Sequence, residues 1–236
     1  MSWRRSLREK TPVTEPRVIT TVGDYQGEAK IAVAATQLGT DYTRTQASKV
    51  VSEWVEFLAA GPSPIEDLAF VSRTPKRLFA ALAGQTQLRH LSIKWGDYED
   101  LSPLRNLSAL DSLRLGGASS VRSVAPLAYL TRLTSLEIEG LRYARDLTPL
   151  QGLVGLTHLE LGGNWMSPRI AHIDSIAWIV SLGNLVDVLL HTLIVDDLDY
   201  TPLLALPHLR TVRMMEARGM KPSIAEFQAR YPASEW

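Results

Sequence analysis

The feature that most constrains the fold is a six-residue apolar pattern that recurs along most of the chain. Each copy has apolar residues at its first, fourth and sixth positions, as in Leu133, Leu136 and Ile138. Seven copies occur, and their first residues lie 22 to 24 residues apart except for one interval of 29 residues. The copies begin at Ile65, Leu88, Leu110, Leu133, Leu156, Leu185 and Leu209. Self-similarity at a period of this length is typical of a solenoid built from stacked repeats.

The spacing within each copy predicts a short strand with one buried side. Alternate residues of a strand point to opposite faces, so the fourth and sixth positions face the core and the residue between them faces outward. One repeat cannot bury its apolar side alone, whereas stacked repeats form a continuous core. We therefore expect parallel strands centred near Leu68, Leu91, Leu113, Leu136, Leu159, Val188 and Val212.

A second motif lies between the strands. It is represented by Ser102-Pro103-Leu104 and Thr148-Pro149-Leu150, and an Asp precedes the Ser or Thr by two residues at Asp100, Asp146 and Asp199. Ser or Thr can cap the first turn of a helix, and Pro is tolerated at the first helical position. The motif predicts a short helix or 3₁₀ turn on the return side of each repeat, with Ser or Thr as its N-cap.

The complete repeat, L-x-x-L-x-L followed by D-L-[ST]-P-L-x-x-L-x-x-L, resembles the short bacterial leucine-rich repeats typified by the internalins. The resemblance covers roughly residues 65–215. It implies an α/β solenoid of about seven rungs, with parallel strands on a concave face and a binding role. The bound molecule is left open, because function lives in sites added to folds. The Asn that follows each strand in that family occurs here only at Asn164.

The segments on either side of the repeats are predicted to cap the array, because the core at each end needs a cover. The chain divides into an N-terminal cap at 1–64, a repeat array at 65–215 and a C-terminal cap at 216–236. Residues 17–37 are expected to form a β-hairpin, and residues 45–59 an amphipathic helix. A short helix is expected after Pro222-Ser223. Alternatively, the N-terminal segment is a functional module of its own.

The fifth repeat is the longest, and two explanations of its extra residues stay open. Residues 164–168 directly follow a strand, where an insertion often carries function because loops tolerate change. Alternatively, the extra length forms a longer helix on the convex side, from Asp174 to Leu182.

Composition and charge exclude several classes of function. Lys+Arg and Asp+Glu both number 25, so the chain lacks the basic excess of proteins that contact phosphates, and we expect no nucleic-acid partner. Without cysteine there is no disulfide, zinc-thiolate site or cysteine nucleophile. The basic first ten residues are not followed by the apolar stretch of a signal peptide, and no apolar run reaches the length of a membrane span. We expect a cytoplasmic monomer without membrane contact.

The outward-facing strand positions, here termed the concave face, are expected to stack into columns, because neighbouring strands lie about 4.8 Å apart. Charges along these columns divide the face into basic, acidic and basic zones. The predicted partner-binding residues on this face are His90, Ser92, Lys94, Arg114, Glu137, Glu139, His158, Glu160, Asp187, His191 and Arg213. At its rim, Trp95 and Trp165 would supply apolar anchors, since Trp is enriched at binding hot spots. The alternatives are a solvated face without a partner and tryptophans packed beneath loops.

These features favour a non-catalytic module that binds a protein on its concave face. Like charges on neighbouring strands are unfavourable, so Glu137 beside Glu160 would be explained by a cationic partner. A narrower hypothesis is an immunity-type inhibitor that covers an enzyme or toxin.

An enzyme is a remote alternative. Two carboxylates about 5 Å apart suit a retaining glycosidase, but Arg114 is expected to pair with Glu137, and an open face does not exclude water. No catalytic residue, metal site or cofactor is predicted, because the possible metal ligands do not converge and no phosphate-binding or nucleophile motif occurs.

Overall fold

The computed structural model describes residues 16–163 and 169–234. Within these ranges the main sheet has nine strands, in the order β1-β2-β3-β4-β5-β6-β7-β9-β11, and every pair of neighbours is parallel. The strands are β1 (Arg17–Ile19), β2 (Lys30–Val33), β3 (Asp67–Thr74), β4 (His90–Gly96), β5 (Ser112–Leu115), β6 (Ser135–Glu139), β7 (His158–Gly162), β9 (Asp187–His191) and β11 (Thr211–Met214). The sheet follows chain order, as expected of a solenoid.

The predicted strands of the array lie where the apolar pattern places them. Leu113 is aligned with Leu136, and Leu136 with Leu159. The same row ends at Val188 and Val212. Every residue of this row from β3 to β11 is at most 2% exposed. The repeated apolar positions therefore form continuous buried rows that run through the stack.

The N-terminal segment does not form the predicted hairpin. β1 and β2 are parallel, with Val18 opposite Ala32, and the chain between them includes a 3₁₀ turn at Val22–Asp24. β2 is also parallel to β3, and this pairing places Ile31 opposite Leu68. The parallel arrangement aligns the apolar side of β2 with the buried row of the array, so the sheet continues through both strands. The boundary at residue 64 stays a prediction.

The predicted helix at residues 45–59 is confirmed as α1 (Arg44–Ala59), which connects β2 to β3. Its N-cap is Thr43, whose hydroxyl accepts the backbone N–H of Gln46 at 3.2 Å. Its buried stripe includes Trp54, whose indole N–H donates to the carbonyl oxygen of Thr20 at 2.8 Å. This hydrogen bond joins α1 to the segment after β1.

The other connections are short, as the return motif predicts. They contain α2 (Lys76–Ala81), α3 (Thr201–Leu204) and 3₁₀ turns at Leu82–Gly84, Ser102–Leu104, Ala125–Tyr129, Thr148–Gly152 and Ala177–Ser181. No helix in the described part of the chain has both the length and the apolar character needed to cross a membrane.

The predicted Ser and Thr N-caps are wrong: the N-cap positions are Leu101 and Leu147, and the side-chain acceptors come from the aspartates that precede them. The Asp100 carboxylate accepts the backbone N–H of Ser102 at 2.8 Å, and Asp146 accepts that of Thr148 at 2.9 Å. Hydrogen bonds from the hydroxyl and the backbone of Ser102 lower the pKa of Asp100. The Asp carboxylate accepts the backbone N–H of the residue two positions later and closes the turn in this way. The Ser or Thr therefore lies inside the turn.

The longer convex helix that was one explanation of the fifth repeat does not form. Instead, β8 (Ala171–Ile173) pairs in parallel with β10 (Leu193–Val195) in a separate two-stranded sheet. Ala171 and Ile173 are buried on either side of an exposed residue, which is the alternation of a strand. Residues 164–168, where a functional loop is the other explanation, lie outside the described residues.

The C-terminal helix is confirmed as α4 (Ile224–Arg230). The hydroxyl of Ser223 accepts the N–H of Glu226, and Phe227 is buried against the core. Ser234, which follows α4, contacts the last strand: its hydroxyl accepts the backbone N–H of Val212 at 2.9 Å. These contacts cover the C-terminal end of the buried rows.

We predict that Leu136→Ala lowers the free energy of unfolding by about 2–5 kcal/mol, because it leaves a cavity in the middle of a buried row. Denaturant-induced unfolding measures the change. The matched control is Val154→Ala on an exposed return segment, which should change stability by less than about 0.5 kcal/mol. Equal effects of the two truncations would contradict the assignment of Leu136 to the core.

Candidate functional site

The strand registers bring the predicted site residues into columns on the concave face. The central column contains Ala69, Ser92, Arg114, Glu137, Glu160, Leu189 and Arg213. The column before it aligns His90 with Ser112 and His158 with Asp187. The column after it aligns Glu139 with Gly162 and His191. Side chains that are distant in the sequence therefore meet because the leucine rows are in register.

The centre of the face is a charged group that we term the carboxylate cluster: Arg114, Glu137, Glu139 and Glu160. Arg114 Nε lies 2.6 Å from Glu137 Oε1, and its Nη2 lies 2.7 Å from Glu139 Oε1. The expected pair between Arg114 and Glu137 is confirmed. The side chains of Glu137 and Glu139 are only 24% and 13% exposed, so these ion pairs are partly shielded from water.

The three carboxylates of the cluster crowd one another. One oxygen from each of Glu137, Glu139 and Glu160 lies within 4.8 Å of the others. Carboxylates at such a spacing need a cation or a proton between them. Arg114 supplies the cation, because its guanidinium bridges Glu137 and Glu139. It offsets only one of the three possible negative charges.

The crowding has an electrostatic consequence at Glu137. Burial, a hydrogen bond with the Glu139 carboxyl and the negative charge of Glu160 together raise the pKa of Glu137 to about 7. Arg114 acts in the opposite direction. A carboxyl group with this pKa changes its ionisation close to neutral pH.

His191 closes the cluster on the side of β9. Its side chain is buried, and its Nε2 lies 3.2 Å from Glu160 Oε1. The imidazole lies over Gly162: a Cβ at that position would be 2.3 Å from the ring. Gly162 is therefore required because His191 fills the space of a side chain, a relation that the repeat pattern does not show.

The flanks of the concave face are more exposed. His158 Nε2 lies 2.7 Å from Asp187 Oδ2, and the hydroxyl of Thr211 donates to the same carboxylate. His90 and Lys94 are exposed on β4. They extend a basic zone from Arg114 toward the N-terminal strands.

Trp95 lies at the end of β4 and is 37% exposed, so it is not packed beneath a loop. The guanidinium carbon of Arg73 lies 5.8 Å from the centre of its ring, in a cation–π contact. Arg73 was not predicted as a site residue, because a bulge in β3 shifts the register before it pairs with Trp95. Trp165, the other predicted anchor, lies outside the described residues.

We predict that Gly162→Ala lowers the free energy of unfolding by about 1–3 kcal/mol, because the new methyl group overlaps the His191 ring. In a His191→Ala background the same substitution should cost at least about 1 kcal/mol less, since the overlapping ring is gone. Denaturant melts of the two single variants and the double variant measure this coupling.

The control for that cycle is Gly152→Ala, because a Cβ at Gly152 meets no atom within 4 Å. It should leave stability nearly unchanged in both backgrounds. Additive effects of Gly162→Ala and His191→Ala would show that the two positions do not contact each other.

Comparisons with known proteins support the architecture. No family model and no curated protein matches the sequence. Among solved structures, an internalin (inlF) from Listeria monocytogenes str. 4b F2365 is similar, with a TM-score of 0.54 and 18% identity over 79% of this chain and 49% of that one. The plant peptide hormone receptor RGFR1, solved in complex with RGF2, has a TM-score of 0.50 and 13% identity over 68% of this chain and 26% of the receptor.

The similarity to these structures concerns the fold: the chain has a leucine-rich-repeat fold resembling that of the internalins. It spans about half the length of the internalin and about a quarter of the receptor.

Proposed function

Starting from this leucine-rich-repeat fold, we propose that the protein is a non-catalytic recognition module whose concave face binds a protein through a cationic element. The observation that carries the proposal is the carboxylate cluster. It has three carboxylates facing one guanidinium, half-buried at the centre of an open sheet. A lysine or arginine of a partner would bring a further positive charge to the three carboxylates.

The surroundings of the cluster support a protein as the bound molecule. Half-exposed Trp95 offers apolar contact beside basic residues on β4, and the face extends across several strands. Tryptophan and arginine, both present here, are enriched at the binding hot spots of protein interfaces. The receptor RGFR1, which shares the fold, is itself in complex with RGF2.

The chemistry of the face favours binding over catalysis. The Glu137 and Glu139 carboxylates are engaged by Arg114, and the hydroxyl of Thr157, next to His158, donates to the carbonyl oxygen of Thr134 at 3.0 Å. A nucleophile needs an adjacent base that is free to accept its proton. The Thr157 hydroxyl oxygen also lies 3.0 Å from Nδ1 of His158, so the imidazole competes with the backbone oxygen for its proton. Both groups lie on an open face that does not exclude water, which disfavours covalent catalysis there.

We predict that Glu137→Gln with Glu160→Gln weakens binding of the partner at least tenfold, a change of about 1.4 kcal/mol. The partner is captured from the source cells by the unaltered protein, purified, and its affinity measured for both forms. Glutamine keeps the shape of the side chain, whereas a lysine at position 137 would lie beside Arg114 and oppose it. The affinity of the unaltered protein should fall as salt rises, because charge-steered association is screened.

The matched control also removes two negative charges, but from α1, with Glu53→Gln and Glu56→Gln. Its affinity should equal that of the unaltered protein, because α1 lies on the opposite side of the core from the concave face. If the α1 variant loses the partner and the concave variant keeps it, the partner binds elsewhere and the proposal is wrong.

A further inference from the structure

One positive charge on the concave face, that of Lys94, forms no ion pair with any residue that the structure describes. Lys94 lies on β4, and its side chain is exposed to solvent. On β5, a Cβ at Gly116 would lie 2.1 Å from the Lys94 carbonyl oxygen, so no side chain fits beside it there. On β3, the bulge places Val71 and Ser72 opposite Lys94. Neither neighbouring strand therefore brings a carboxylate to Lys94.

Exposed apolar side chains surround this charge, and we term Val71, Lys94 and Trp95 the Lys94 patch. Val71 and Trp95 are each 37% exposed. The Trp95 ring is in a cation–π contact with Arg73, whose Nε in turn lies 3.2 Å from Asp97 Oδ1. Arg73 is therefore engaged by the ring and by Asp97, whereas Lys94 is not engaged in this way. A carboxylate that paired with Lys94 would have apolar surface on either side of it.

The Lys94 patch and the carboxylate cluster lie on the same face, two strands apart. Lys94 follows Ile93 on β4, and Glu139 follows Ile138 on β6. Leu115 of β5 is aligned with both isoleucines. Two strand spacings of about 4.8 Å separate Lys94 from Glu139 by about 10 Å. This distance exceeds the Debye length of about 8 Å at physiological ionic strength, so the exposed ammonium group is largely screened from the cluster. The fold does not pair these opposite charges with each other.

We propose that the binding element of the partner is bipolar: a carboxylate of the partner pairs with Lys94 beside Trp95, and a cation about 10 Å away contacts the carboxylate cluster. The cationic half rests on the proposed function, whereas the acidic half rests on the Lys94 patch. A purely basic element would bring a positive charge next to Lys94, and like charges across an interface are unfavourable. The face therefore selects a partner by the order and spacing of two opposite charges.

Short peptides with two charges at a fixed spacing serve as probes. A polyproline II segment has three residues per turn and rises about 3.1 Å per residue, so residues three apart lie on one side and about 9 Å from each other. The bipolar probe is a blocked polyproline peptide that contains one aspartate and, three residues later, one lysine. The comparison probes contain lysine alone, aspartate alone, or both charges six residues apart, at about 19 Å.

Binding of each probe to the full chain is measured by ¹⁵N NMR titration of the backbone amides. We expect the bipolar probe to bind roughly twofold to fivefold more tightly than the lysine-only probe, which is the effect of one further exposed ion pair. It should shift the amide signals of Lys94 and Trp95 together with those of Glu137 and Glu160. The probe with the wider spacing should bind no more tightly than the lysine-only probe, because it cannot contact both places at once.

The variant Lys94→Gln separates a specific ion pair from general attraction to the face. In this variant the bipolar probe should lose its advantage, while the affinity for the lysine-only probe should not fall. The matched control Lys76→Gln removes an exposed positive charge from α2 and should leave the advantage unchanged. An advantage that persists in Lys94→Gln would show that the aspartate binds elsewhere, and would overturn the proposal.

The probes distinguish failure of this proposal from failure of the proposed function. Equal affinities for the bipolar and lysine-only probes would overturn the bipolar element and leave a cationic element as the ligand. Equal affinities for the bipolar and aspartate-only probes would remove the cation from the cluster, which contradicts both proposals. If no probe binds, the bipolar element is wrong, and the capture experiment with Glu137→Gln and Glu160→Gln still decides the proposed function.

Discussion

The structure depends on the register between neighbouring strands, which is set by the burial of one apolar row against the next. Leu113, Leu136 and Leu159 occupy equivalent places on successive strands and are almost inaccessible to solvent. A slip of one residue would expose this row and bury the charged residues between its members, so the register is strongly specified. The parallel order of the sheet and the columns of the concave face both follow from this constraint.

The same register creates the electrostatic problem at the centre of the face. Leucines cannot be aligned without also aligning the residues between them, so Glu137 must lie opposite Glu160. Arg114 offsets the repulsion on one side, and His191 Nε2 lies against Glu160 on the other. Arg114 itself carries one positive charge, whereas the cluster contains three carboxyl groups. A cation brought by a partner would favour the ionised form of these carboxyl groups.

The sequence predicted the strands of the array and the pair of Arg114 with Glu137, because both depend only on a regular spacing. Prediction from the sequence failed where the structure depends on a contact that occurs once and is not repeated from strand to strand. A polar turn after β1 suggested a hairpin. Instead, β2 pairs in parallel with β3, because this pairing aligns Ile31 with the buried row of the array. The space over Gly162 is filled by a side chain from the next rung, which no spacing rule reveals. The turn caps also differ from the prediction, because the side chain of Asp100 accepts the backbone N–H of the residue two positions later.

The hydrogen bonds between the end of α1 and the array bear on whether the N-terminal segment is a separate module. Gln85, which follows α2 and is fully buried, donates through Nε2 to the carbonyl oxygens of Leu58 and Gly61, each at 2.6 Å. Its Oε1 accepts the hydroxyl of Ser63 at 2.6 Å. The last carbonyls of a helix need partners, and here an amide from the array supplies them. Separation of the segment would leave these buried groups unsatisfied, so the structure favours a segment that folds with the repeats it precedes.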